Sequence, residues 1–433
     1  MAAWTLSARR ERDLDAATVQ HAQRAVLDAS VAMLAGLERP EGRAIVRFLQ
    51  SAPPPGVCRL LGSHASTSAA HAAYAGTALC QVHDANDGHP DADVTGGSYH
   101  PGRVMVPAAL ALAQEVGWRG RELLTAVAVG YDIATGVHHP LSSSPDAYGA
   151  AAAACYAYEL DREETQLALH IAAFTAPISG AHDFEINNLA CAQQSRVGIE
   201  SALIARQGYP VSYPEYYPME RLAFATPPAL GHSFRPIYHK PYPTCRCTHA
   251  YIEAAIRLHP EVRDRLSMIE AIRLKGHAIG GVAAHRVGPD RYYKAYELSI
   301  PYCAAVALVD GRLGTAQVRP DRTGDPLVQR LQDSTTVLLD ASQPPYFGGT
   351  VEITMTDGSV HACTIDAPLG SPENPLTDGE IAAKMVHWLG YAQEDADALL
   401  EQVMGLDRAE SAEGLWAVLG RLGEQALRGG GEA

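Results

Sequence analysis

Residues 81–104 read QVHDANDGHPDADVTGGSYHPGRV and hold three histidines, four aspartates and four glycines. Asp and Asn suit turns and helix caps, and Gly and Pro stop helices, so the segment reads as a loop. Its flanks are alanine-rich and apolar, STSAAHAAYAGTALC before it and VMVPAALALA from Val104. The loop is therefore clamped between two buried helices. Catalytic groups tend to sit on loops held by a rigid scaffold.

Outward from the loop, the first half of the chain carries helical patterns over 65–80, 106–116, 122–134, 147–158 and 195–206. Further upstream, Leu27, Val31 and Leu34 recur at helical spacing, with Gly36 as the expected stop. The contact faces are largely Ala, which favours helix and lets helices approach closely, so they predict a tight bundle. From 208 to 243 prolines and six tyrosines alternate, which regular helix cannot survive; this reads as an ordered crossover.

Beyond it the texture is mixed. Residues 268–274 read as a strand, 299–309 as a buried helix and 350–366 as a hairpin turning at Asp357-Gly358. The last sixty residues return to helix, with Ile381, Met385 and Trp388 on one face and Gly390 ending it. The expected fold class is mainly α, with a smaller α+β part set between helical ends.

The 433 residues are 47% apolar and 19% charged, enough to bury a sizeable core. A formal charge of -15 without a basic run argues against nucleic acid and anionic membrane as partners. An acidic substrate would need a local cluster of cations. Eight scattered cysteines and an N-terminus without a secretory signal predict reduced thiols and a cytoplasmic location. No apolar run reaches membrane-span length, and the stretch around Pro107 stops at Gln114.

Neither GxxxxGK[ST] nor a strand-linked GxGxxG occurs, so no nucleotide cofactor is expected. Cys245, Cys247 and His249 form CxCxH, but no paired motif completes a four-ligand zinc site, and metal dependence is not expected either.

Six motifs stand in one order: HDANDGH from His83, HPG from His100, GYD from Gly130, GAAAAA from Gly149, KPYPTCRCTH from Lys240 and SIPYCAAVALVDG from Ser299. In this the chain resembles the MmgE/PrpD family, whose members dehydrate, decarboxylate or epimerise small carboxylates. The resemblance implies a large all-helical domain from 1–243 and 371–433, and an α+β lid domain from 244–370. It also implies a homodimer, a cleft site between the domains, and chemistry without metal or cofactor. Carried over by motif, Asp84, His100, Lys240 and Tyr302 are the expected catalytic residues.

Two positions depart from the family pattern. Members commonly carry a histidine in an HPT motif, whereas here His139-Pro140 is followed by Leu141, so His138 or His139 fills that role. A lysine expected eleven residues before Gly198 is Asn187. Together with Arg103, Cys245 and Arg246, His138 and Asn187 make up the expected substrate contacts, with His139 counted among the catalytic residues.

Reactions of this type pass through an enediolate-like anion, which needs positive charge and hydrogen bonds aimed at its oxygens. Lys240, His100 and Arg103 can supply them, and Tyr302 can donate a phenolic hydrogen bond. The base must titrate near neutral pH, which favours His100 or the His138/His139 pair, with Asp84 orienting a histidine or the substrate. Each residue also has a plainer reading: Asp84 and Asp87 as caps or turn formers, His100 as a turn residue, the histidine pair as a solvated helix end, Lys240 as a solvated cation. The shared motif order favours the catalytic reading for His100, Asp84 and Lys240.

The expected function is a lyase removing water or carbon dioxide from a small polycarboxylate. An isomerase or epimerase using the same proton abstraction, and a silent carboxylate-binding homologue, are the alternatives.

Overall fold

The computed structural model describes Thr5 and residues 14–90, 100–136, 145–177, 184–210, 229–277, 281, 283–289, 291–340 and 348–429. The chain is mainly helical, with one small mixed sheet in its C-terminal part.

Helix α1 (Ala16–Leu37) begins where the Asp15 carboxylate accepts the Thr18 N–H at 2.7 Å. From Ala25 to Leu37 every residue is buried, so this helix is surrounded on all sides. Gly36 lies inside it and does not end it. A Cβ there would stand 2.2 Å from the Leu79 carbonyl oxygen, so the glycine serves a close helix crossing.

Helix α2 (Pro40–Ser51) and a two-residue ribbon, β1 (Cys58–Arg59) with β2 (Ser66–Thr67), lead into α3 (Ala69–Val82). The helical pattern over 65–80 therefore starts late, because Ser66 and Thr67 pair as strand. Then follow α4 (Gly102–Val116), α5 (Gly120–Gly136), α6 (Pro145–Ala157), α7 (Arg162–Thr175) and α8 (Phe184–Arg206). Helix α8 starts a full eleven residues before the expected 195. Helix α7, opened by a capping box between Asp161 and Glu164, was not marked by periodicity at all.

The GYD and GAAAAA motifs meet in the bundle. A Cβ on Gly149 would lie 2.5 Å from the Gly130 carbonyl oxygen, and one on Gly198 would lie 2.6 Å from Ala150 Cβ. Alanine and glycine faces set the spacing of α5, α6 and α8. Much of the expected crossover, 211–228, lies outside the described residues, as do His138 and His139.

The second part holds α9 (His249–Val262), β3 (Ile269–Gly276), α10 (Tyr293–Glu297), α11 (Ile300–Asp310), α12 (Pro326–Asp333), β4 (Thr335–Leu339), β5 (Gly349–Met355) and β6 (Val360–Ile365). The strand order is β4-β3-β5-β6, with β3 parallel to β4 and antiparallel to β5. The expected hairpin is present: Gly358 takes φ 85°, and Ile353 faces His361 across β5 and β6. Strand β5 alternates buried and half-buried residues, turning one face to α9.

Finally α13 (Asp378–Leu389), α14 (Gln393–Met404) and α15 (Glu413–Gly429) pack back on α1. Ile381, Met385 and Trp388 are buried on α13, and Gly390 ends it in the left-handed conformation. One apolar core gathers residues from 14 to 237 and from 376 to 426, while a second gathers residues from 250 to 365.

Candidate active site

Residues 83–90, which follow α3, lie between the two cores; residues 91–99 of the expected loop lie outside the described residues. The start of the loop is held from the other side by α10. The Tyr293 hydroxyl donates to the Val82 carbonyl at 2.6 Å, and the Lys294 ammonium to the Gln81 carbonyl at 3.0 Å. These carbonyls end α3 and need partners from outside the helix, and a cation suits that end.

Asp84 and Lys240 form an ion pair at 2.5 Å, and the same ammonium donates to the Asp84 backbone carbonyl at 3.0 Å. Lys240 is 0% exposed, not the solvated cation of the plainer reading, and the Asp84 side chain is 15% exposed. Burial pushes the Asp84 carboxyl upward. The Lys240 ammonium, with Lys294 behind it, outweighs this and holds it well below the usual carboxylate range.

An ammonium has three protons and two are taken by Asp84; the third has no protein acceptor among the described residues.

His100 is half-buried beside this pair. Its Nδ1 lies 2.6 Å from the Asp87 carbonyl oxygen, which can only accept, so Nδ1 carries the proton and Nε2 the lone pair of the neutral ring. Burial first, then Lys240 and Arg103, push its pKa down to about 3. The ring is neutral in the free protein.

Asp87 takes the capping role foreseen for the loop carboxylates. Its Oδ1 accepts the Gly102 N–H at 3.0 Å, at the start of α4, and its Oδ2 accepts the Tyr131 hydroxyl at 2.6 Å. A Cβ on Gly102 would fall 2.5 Å from Tyr131 Oη, which explains the glycine of HPG. Burial, with Asp28 nearby, raises Asp87 to about 7.

Arg103 is buried. It donates to Gln81 Oε1 at 3.0 Å and pairs with Asp146 at 3.4 Å. Burial would lower its pKa, but Cys191, Asp146 and Asp84 around it outweigh this. Asn187 sits one helical turn before Cys191, whose thiol lies 3.7 Å from Asn187 Oδ1. Arg103 and Asn187 thus share a neighbour.

Arg246 serves the framework: its guanidinium reaches the Pro368 and Leu369 carbonyls and stacks 4.9 Å over the Tyr238 ring. The free Cys245 thiol donates a hydrogen bond to the Cys247 sulfur and is pushed well up by that hydrogen bond and by burial. His249 turns to the Thr244 carbonyl at 3.1 Å, and no cluster of three metal-ligating side chains occurs among the described residues. Tyr302 lies away from the loop's partners: it is fully buried in the second core, packs on Tyr296 and donates its hydroxyl to the Gln317 carbonyl.

The motifs did not single out Glu297 and its neighbours. Glu297 is fully buried; it accepts His83 Nδ1–H at 2.5 Å and the Asp84 N–H at 3.1 Å. The available signal was YKAYE immediately before SIPY, a Lys and Glu spaced i, i+3 among tyrosines.

Fold and site together define a two-core, mainly helical protein with an acid, a lysine and a histidine gathered where the cores meet. Residues 1–214 match the MmgE/PrpD N-terminal domain and residues 242–407 the MmgE/PrpD C-terminal domain, so the chain belongs to the MmgE/PrpD family. Among curated proteins it is similar to cis-aconitate decarboxylase of Aspergillus terreus, 22% identical over 449 residues, covering 92% of this chain and 90% of that one. It is also similar to the cis-aconitate decarboxylase-like protein oryM of Aspergillus oryzae, 24% identical over 425 residues and 86% of each chain. No helix among the described residues is long and apolar enough to cross a membrane.

Proposed function

We propose that the protein is a lyase that removes carbon dioxide or water from a small polycarboxylate of the cis-aconitate or citrate type. The observation that carries this is the buried Lys240 ammonium, two of whose protons are fixed by Asp84 while the third meets no acceptor among the described residues. In a chain of net charge -15 such a cation is the natural anchor for an anion.

On decarboxylation, the electrons of the breaking C–C bond flow toward the remaining carboxylate. Lys240 stabilises that charge, and the carbanion then takes a proton from a protonated His100. On dehydration His100 Nε2 first takes the proton beside the carboxylate, and the imidazolium so formed gives it to the departing hydroxide, which leaves as water. An anionic substrate next to His100 raises its pKa from the low value of the free protein toward the working range.

In this reading 244–370 acts as a lid over the helical body. The molecule is a homodimer through that body, supported by the exposed Ile186 and Leu189 on one face of α8. The chemistry is tested by incubation with cis-aconitate and citrate in deuterated water. Loss of carbon dioxide or water supports a lyase, deuterium uptake without mass loss an epimerase or isomerase, and binding without exchange a silent homologue.

A further inference from the structure

We infer that Glu297 is a positioning residue that sets the Asp84–Lys240 pair from the second core. This rests on the reading of that pair as the reaction centre. The side chain of Glu297 holds the Asp84 N–H at 3.1 Å and His83 at 2.5 Å, while its own backbone carbonyl accepts the Cys245 N–H at 2.9 Å. One residue therefore fastens the backbone on both sides of the pair, at Asp84 itself and five residues beyond Lys240.

The surroundings make this fastening rigid. Glu297 and His83 are 0% and 1% exposed, and Lys294 lies 3.4 Å from the same carboxylate, so the negative charge is compensated where water is excluded. The other two side chains of α10 that reach the loop hold the neighbouring carbonyls of Gln81 and Val82. A carboxylate with acceptors on both oxygens can take the ring N–H on one and the backbone N–H on the other; no neutral side chain offers that. Catalytic geometry is sensitive to small displacements, so loosening Asp84 changes the aim of the ammonium without touching substrate.

Two variants separate reach from charge. Glu297→Asp keeps the charge beside Lys294 but draws the carboxylate back by about 1.5 Å, one C–C bond, beyond hydrogen-bonding reach of the Asp84 N–H. Glu297→Gln keeps the length and one acceptor oxygen. With cis-aconitate as substrate, Glu297→Asp is expected to lower kcat by about tenfold or more with KM within about threefold. Glu297→Gln should lose less.

The converse order, Gln worse than Asp, or losses that follow the folded fraction alone, would overturn the inference. Amide exchange in the full chain gives a readout independent of turnover. The Asp84 amide should be protected in the wild-type protein and faster in Glu297→Asp, while the Gly102 amide, held by Asp87, is unchanged. A fast Asp84 amide in the wild-type protein overturns the inference even if no variant folds. Absence of turnover with protected amides sinks the lyase reading and leaves the positioning in place.

Discussion

Asp84 and Lys240, 156 residues apart in sequence, meet in an ion pair in which the lysine is wholly buried and the aspartate supplies both a carboxylate and a backbone oxygen. Neither residue is placed by its own element alone: the aspartate follows a buried helix, and the lysine lies in the proline-rich approach to the second core.

The first prediction follows from that burial. Lys240→Met leaves the Asp84 carboxylate without its cation, and breaking such a pair costs about 3–5 kcal/mol. Both thermal stability and turnover should fall. Lys240→Met combined with Asp84→Asn should regain most of the stability and none of the turnover. If the double variant turns over at the wild-type rate, the pair is only structural.

His100 is tested by pH. Its pKa of about 3 in the free protein means kcat/KM should show no acid limb from an imidazole near 6.5, while the limb in kcat lies higher, because bound anion raises it. His100→Asn should lower kcat by about a hundredfold with folding intact. An imidazole limb near 6.5 in kcat/KM, lost in His100→Asn, would contradict the neutral ring.

Asp87 contributes to stability with the opposite sign to an ordinary paired carboxylate. Its folded pKa is raised to about 7, above the unfolded value, so between the two the folded protein binds the extra proton. Its contribution therefore falls as pH rises from about 4 to about 7. Asp87→Asn, which can still accept from Gly102, should remove that part of the slope in melting temperature against pH. An unchanged slope would place the titration elsewhere.

The homodimer is tested at α8. Leu189 is 39% exposed and Ile186 58%, three residues apart on one face. Leu189→Asp should shift sedimentation to the monomer with the far-ultraviolet helix signal preserved. A wild-type monomer at micromolar concentration would remove the interface.

The sequence made the bundle, the start of the polar loop and the hairpin legible because each rests on local chemistry: Ala along the helices, Asp and Asn after α3, Asp357-Gly358 at the turn. It marked Asp84, His100 and Lys240, whose motifs are compact. The partners of Glu297 could not be read, since its contacts to His83 and Asp84 span more than two hundred residues. Gly36 misled for the same reason: its role is set by Leu79 from another helix, and a terminal glycine looks identical in one dimension. Tyr302 follows Glu297 by five residues, yet its hydroxyl donates to the Gln317 carbonyl.

The crossing from the helical body into the second core and the return lie side by side: the His239 N–H donates to the Gly370 carbonyl at 3.0 Å, and Arg246 reaches Pro368 and Leu369. Viewed from the body, more than a hundred residues leave and re-enter at nearly one point. Closing such an excursion depends only weakly on its length, about 0.6 kcal/mol for each doubling. Segments of the excursion away from α10, such as the turn at Asp357-Gly358, can be lengthened, trimmed or exchanged while α10 keeps its hold on Asp84 and the framework around it keeps its shape.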